Sequence, residues 1–155
     1  MTELFAESTV VEPPQISLGD RGEKIAAEHL IRSGFEIVVT NFKVPVGRNS
    51  NGVAVTGEID IIAIDGDMLC FVEVKTRSSE DFAPAITAVD RRKQRQITRT
   101  SKVYRRMFHL EKATVRFDVV TVILPKDSKP NITLTKGHWT DKQFRKPHWD
   151  SPGWA

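Results

Sequence analysis

The chain has 155 residues, 39% of them hydrophobic and 28% charged, enough for one packed domain and too few for a multidomain machine. No apolar run approaches the roughly 18 residues of a membrane span, the first residues lack the basic start of a secretory signal, and the lone Cys70 rules out an internal disulfide or a cysteine-built zinc cage, so a cytoplasmic protein without membrane contact is expected. The net charge of +3 conceals two unlike parts: residues 1–90 carry 7 basic and 15 acidic side chains, residues 91–155 carry 16 and 5. A basic half suits a polyanionic partner, and an acidic half raises the question of carboxylates gathered for a metal.

Residues 1–17, with Pro13-Pro14, have no sustained periodicity and are expected to form a flexible arm. A helix follows through Glu23–Arg32, with Asp20 as its N-cap and Gly34 as its stop. Phe35–Thr40 is β-branched and aromatic and reads as a strand continuing toward Val46, before the polar stretch Gly47–Gly52. Ile59–Ile64 and Met68–Lys75 flank Asp65-Gly66-Asp67, a strong hairpin signal. A long helical segment is expected from Pro84 to His109, then a Val- and Ile-rich strand over Thr114–Leu124. The order αβββαβ defines an α/β domain over 18–124. Residues 125–155 read as a polar tail with room for a short strand at Ile132–Leu134, and it holds Trp139, Trp149 and Trp154.

The hairpin places chemistry. Side chains alternate along a strand, so a two-residue turn at Gly66-Asp67 sets Asp60 opposite Glu73, whereas a turn at Asp65-Gly66 makes them diagonal neighbours on the same face. Lys75 shares the face of Glu73. On the helical wheel Glu23 shares a face with Ala27, Leu30 and Ile31 and points toward the sheet, whereas Glu28 lies off that line. Carboxylates converging on an apolar surface are costly unless paired. A divalent cation such as Mg²⁺, or Mn²⁺, would offset the cost and would support metal-assisted hydrolysis of a phosphodiester, with Lys75 orienting water or stabilising developing charge. An ion-pair network of the same four side chains is the alternative.

These residues also carry a resemblance. Gly22-Glu23, Gly34, Asn41-Phe42-Lys43, the block Gly57-Glu58-Ile59-Asp60-Ile61-Ile62-Ala63, the block Phe71-Val72-Glu73-Val74-Lys75-Thr76-Arg77, and Arg116-Phe117-Asp118-Val119-Val120 resemble the YraN family of predicted endonucleases, related to archaeal Holliday junction resolvases. The resemblance spans roughly residues 18–123. It implies a restriction-endonuclease-like αβββαβ core with a central mixed sheet flanked by helices, Asp60 and Glu73 as metal ligands, Lys75 as the catalytic lysine and Glu23 as the helix-borne acid. It further implies DNA, including branched DNA, as substrate, and a homodimer. The segment between Phe42 and Gly57 is longer than the family's usual loop.

In the second helix Arg91, Arg95, Arg99, Lys102 and Arg106 recur at intervals of four, four, three and four, within an arc of about 80°. Ile97, Tyr104 and Phe108 lie opposite, so the helix should pack by that face and present a cationic stripe able to follow a phosphate backbone. Lys93 falls beside Ile97, toward the sheet, within reach of a phosphate near the carboxylates. The tail's tryptophans could stack on bases, or pack back on the domain. The expected function is a metal-dependent endonuclease acting on DNA; the alternative is a nucleic-acid-binding module that keeps the fold without the catalysis.

Overall fold

The architecture below comes from a computed structural model, which describes residues 14–81 and 83–145. The elements run α1 (Leu18–Arg32), β1 (Glu36–Arg48), β2 (Ala54–Asp65), β3 (Met68–Arg77), a 3-10 turn at Ala85–Ala88, α2 (Arg91–Met107), β4 (Val115–Ile123), β5 (Asn131–Trp139) and a second 3-10 turn at Asp141–Phe144. The five strands form one sheet in the order β1-β2-β3-β4-β5. β1/β2, β2/β3 and β4/β5 are antiparallel, whereas β3/β4 is parallel. A parallel pair needs a crossover connection, and the segment containing α2 supplies it. The chain is thus an α/β protein with a mixed sheet between helices. No helix among the described residues is long and apolar enough to cross a membrane.

Two core layers sandwich the sheet. On one face α1 places Ala26 and Leu30 against Ile61, Ala63, Cys70, Val72, Val120 and Val122. On the other, α2 sets Ile97 and Tyr104 over Ile62, Phe71, Phe117 and Val119. Glycines set how closely the helices lie. A Cβ on Gly22 of α1 would strike Thr76 of β3, and one on Gly57 of β2 would strike Thr100 of α2.

Several expectations need correction. α1 starts at Leu18, not after Asp20: Ser17 is the N-cap, its hydroxyl accepting the Asp20 N–H at 3.1 Å. The segment from Pro84 to His109 is not one helix, because Asp90 takes the Lys93 N–H at 2.9 Å and starts α2 afresh at Arg91. Phe108 is the C-cap of α2 and 52% exposed, so it does not join the packed face. That face instead includes Thr98, Thr100 and Ser101, whose hydroxyls donate to backbone carbonyls of their own helix. Such small side chains bring the helix near the sheet without leaving a polar group unsatisfied.

Residues expected to be tail complete the sheet. β5 covers nine residues rather than three, and Trp139 at its end is 5% exposed, stacked on Phe117 at 5.0 Å between ring centroids. Its indole Nε1–H donates to Thr98 Oγ1 at 2.9 Å, so the indole ties β5 to α2 through the core. Trp149 and Trp154 lie outside the described residues, as do the first thirteen of the expected arm. Beside the β2/β3 turn, Arg116 grips both oxygens of buried Asp118 and reaches Asp65, each at 2.8 Å, while Gly137 of β5 donates its N–H to Asp118. This network joins the hairpin, β4 and β5. Because Trp139 belongs to the core, Trp139→Ala should destabilise the fold by about 3–5 kcal/mol, read as a lowered urea midpoint in a single cooperative transition. A change below about 1 kcal/mol would instead mark β5 as a loosely held appendage.

Candidate active site

The turn that sets the site is Gly66-Asp67. Asp65 pairs with Met68 across it, and Gly66 adopts φ 60° at the first loop position, where a tight hairpin favours glycine. The register then runs Ile64 to Leu69, Ala63 to Cys70, Ile62 to Phe71 and Ile61 to Val72, so Asp60 and Glu73 come next. There the two strands separate. Residues before Ile61 pair with β1 alone, and residues after Val72 pair with β4 alone. Asp60 Oδ2 accepts the Val74 N–H at 2.8 Å, a side chain replacing the missing rung.

The separation coincides with a twist in β2. Ile59 belongs to the core layer under α2 and Ile61 to the layer under α1, although residues two apart in a regular strand share a face. Asn41, which faces Asp60 by the β1/β2 register, has φ 53°. Both strands therefore turn over at the same level. Asp60 consequently sits at the mouth of the gap rather than on one sheet face, and its charge acts on Glu23 of α1 as well as on Glu73.

Around this gap lies a cleft of about 280 Å³ lined by Glu23, Glu58, Asp60, Glu73, Lys75, Arg77 and Lys93 among others. Glu73 is 3% exposed. The ammonium of Lys75 is 3.5 Å and that of Lys93 3.6 Å from the same oxygen, Glu73 Oε1. Burial, then the neighbouring charge of Asp60, pushes the Glu73 carboxyl up to about 7; Lys93 and Lys75 pull the other way and do not cancel the rise. Glu23 is also raised, first by burial and then by Asp60, with the Asn41 amide opposing.

Each residue singled out in the sequence can now be placed. Asp60, Glu73, Lys75 and Lys93 come together, and Glu23 borders the same cleft. Glu23 is nevertheless not on the centre of the packed helix face, as its wheel position suggested: the buried stripe is Gly22, Ala26 and Leu30, and Ile31 is 57% exposed. Gly22 packs without contributing to hydrophobicity, so the wheel read from apolar side chains was rotated. Arg91, Arg95, Arg99, Lys102 and Arg106 are all exposed on α2, and none of them lines the cleft. Phe144 lies against the first two, 5.7 and 5.9 Å from their guanidinium carbons. Glu58 and Arg77 carry no such expectation, though each stands in one of the two motif blocks, two residues from Asp60 and from Lys75 respectively.

Among the described residues no group of three or more His, Cys, Asp or Glu side chains is arranged as a metal cage. The donors at the gap are two hard carboxylates, Asp60 and Glu73, whose chemistry fits a cation that keeps several of its own waters, as Mg²⁺ does. The two lysines would then be released from charge compensation.

Residues 22–122 match the family described as Uncharacterised protein family UPF0102. A UPF0102 protein of Koribacter versatilis is 40% identical over 125 residues, covering 81% of this chain and 80% of that protein. One of Chlorobaculum tepidum is 43% identical over 106 residues, 68% and 74% of the respective chains, and one of Chlorobium limicola is 34% identical over 137, 88% and 95%. The crystal structure of SSO0001 is similar at 19% identity and a TM-score of 0.38, over 81% of this chain and 54% of that longer one.

The raised Glu73 carboxyl makes the cation-free protein sensitive to pH. Between the ordinary carboxyl range and about 7 the folded state holds a proton that the unfolded chain releases, so this contribution to stability is complete at low pH and is lost as pH rises through about 7. In EDTA the wild-type melting temperature should fall from pH 5.5 to 8 more steeply than that of Glu73→Gln, and parallel slopes would refute the assignment.

Proposed function

The chain belongs to the family UPF0102, and from the side chains gathered where β2 and β3 part we propose that it is a divalent-cation-dependent endonuclease that hydrolyses phosphodiester bonds of DNA, branched DNA included. The observation that carries this reading is the buried Glu73 oxygen held between Lys75 and Lys93 beside Asp60. A purely structural ion pair needs neither a second, half-buried carboxylate raising its energy nor an open cleft above it. A module that only bound nucleic acid would gain nothing from anionic side chains facing a phosphate.

In this proposal Asp60 and Glu73 hold Mg²⁺ or Mn²⁺, which when bound polarises a phosphoryl oxygen and lowers the pKa of a coordinated water. The protein's own side chains do the rest. Asp60 is fixed by the Val74 N–H, so its carboxylate does not swing away from the gap. Lys75, partly exposed on β3, would hold the attacking water by its ammonium and offset charge growing on the phosphoryl oxygens. Lys93 reaches the same Glu73 oxygen from α2 and would hold a non-bridging phosphate oxygen. Glu23, at the border of the cleft, accepts a hydrogen bond from substrate or water when ionised. The exposed row from Arg91 to Arg106 draws the strand to the protein through its phosphates.

Purified protein incubated with four-way-junction, duplex and single-stranded DNA, with and without Mg²⁺ or Mn²⁺, tests the reading. Glu73→Ala should abolish cation-dependent cleavage while leaving affinity in EDTA unchanged or slightly higher, since the carboxylate repels phosphate. Retained cleavage in that variant, in a preparation free of contaminating nuclease, would dismiss the site. Charge reversal by Arg95→Glu with Arg99→Glu should instead weaken binding to every sequence and flatten its salt dependence by about one unit per lost phosphate contact. Unchanged affinity and slope would reduce the stripe to a solvated face.

A further inference from the structure

The strands on the far side of Asp60 form a ribbon whose tip neither the packed sheet nor the candidate site requires. From Phe42/Ile59 to Arg48/Ala54 the antiparallel ladder joins β1 and β2 only, because β3 has already parted from β2. One side of the ribbon is fastened down. Phe42 meets Tyr104 edge to face at 5.1 Å, Gly57 lies under Thr100, and the Arg99 guanidinium sits beside Gly47. The end is different: Gly47 through Ala54 are all exposed.

That exposed end is held rigid by its own hydrogen bonds. Asn49 N–H donates to the Val53 carbonyl at 2.9 Å and Gly52 N–H to the Asn49 carbonyl at 3.0 Å. Asn49 Oδ1 accepts from the N–H groups of Asn51 and Val53, and Arg48 Nη1 donates to the Gly52 carbonyl at 2.8 Å. No acidic residue occurs between Lys43 and Gly57, in the half of the chain that is otherwise strongly acidic. Val53, 58% exposed, gives the tip an apolar surface. Arg99, a member of the α2 stripe, abuts the ribbon at Gly47, so the cationic surface continues from helix to ribbon.

We propose that this ribbon is a second nucleic-acid contact, in which the Arg48–Val53 tip enters the major groove of a duplex whose phosphates lie along α2. The inference rests on the nucleic-acid reading given above, and not on catalysis. A two-stranded ribbon with its side chains is about 10 Å across, matching the roughly 12 Å major groove and too broad for the roughly 6 Å minor groove. Asp60 and Ala54 are six residues apart on β2, about 20 Å at about 3.3 Å per residue. The tip would therefore grip the duplex about six base pairs from the phosphate at the carboxylates, at about 3.4 Å per pair. An isolated strand has no groove to enter.

Fluorescence anisotropy in EDTA, on a 20-base-pair duplex and on one of its strands alone, separates this from the cleavage reading because no hydrolysis is involved. Arg48→Ala should weaken duplex binding about five- to twentyfold, lower the salt slope by about one, and leave single-strand binding within about twofold. Asn49→Ala, which removes the carboxamide bracing the turn and no charge, should weaken duplex binding in the same direction. Netropsin, which fills the minor groove, should leave the difference between wild type and Arg48→Ala intact. The inference is overturned if Arg48→Ala leaves duplex affinity unchanged, if it weakens duplex and single strand equally, or if netropsin abolishes its effect. Loss of cleavage in Glu73→Ala together with unaltered duplex binding in Arg48→Ala would sink the ribbon contact alone; the reverse pair of results would sink the nuclease reading alone.

Discussion

The hydrogen bond from the Val74 N–H to Asp60 Oδ2 is the hinge of the molecule. A sheet that continued its ladder through Asp60 and Glu73 would have backbone facing backbone there and no gap to hold a ligand. By taking one rung into a side chain, the fold lets β2 leave with β1 and β3 leave with β4 without abandoning a buried N–H. Everything of functional interest hangs from that parting: the cleft, the two lysines on one oxygen, and the ribbon that β1 and β2 form beyond it.

Holding four carboxylates near one gap opposes folding, and the structure offsets this locally. Two ammonium groups contact Glu73, and Asn41 attends Glu23. Close helix packing is part of the same arrangement. Gly22 and Gly57 each precede an acidic residue of the cleft, Glu23 and Glu58, and each lies where a helix crosses a strand with no room for a methyl group. The glycine and the acid in each pair divide two tasks: one sets the depth of the helix, the other uses the position so gained. At the other end of β2, Asp65 and Asp118 are satisfied by Arg116, with Lys136 also on Asp65. Arg116-Phe117-Asp118 thus fastens strands together at a distance from the cleft, although its residues form one of the blocks by which the family resemblance is recognised.

Most of the architecture was readable because hydrophobic period and turn chemistry agree. Val-, Ile- and Phe-rich runs around Asp65-Gly66-Asp67 predict the β2/β3 hairpin, and its parity argument places Asp60 next to Glu73 whichever two-residue turn is chosen. What escaped was carried by residues without a hydrophobic signal. Gly22 rotates the apparent face of α1, Thr98, Thr100 and Ser101 pack where larger apolar residues were sought, and Ser17 caps α1 where Asp20 looked better charged. β5 was underread because Thr133, Thr135, Lys136 and Gly137 dilute its apolar content, although their place in the sheet is fixed by pairing with β4 and by Trp139. The twist at Asp60 has no signature in composition; it is a consequence of pairing, seen only when Ile59 and Ile61 fall in different layers.

Both edges of the sheet bear on how copies of the chain could meet. β1 is one edge strand and thirteen residues long, a hazard for strand-to-strand pairing. Its register shifts around Val38, it passes through a left-handed backbone at Asn41, and it carries Pro45, which has no N–H to offer. Each feature interrupts the row of donors and acceptors that a second copy would need. At the other edge β5 is interrupted by Gly137 at φ 62°. Neither edge therefore offers an uninterrupted row of donors and acceptors by which a second copy could extend the sheet. The charge is divided as well: the cleft draws its carboxylates from α1, β2 and β3, whereas the exposed row Arg91 to Arg106 stands on α2, and in the proposed function attraction for a polyanion and the chemistry done on it would fall to different elements.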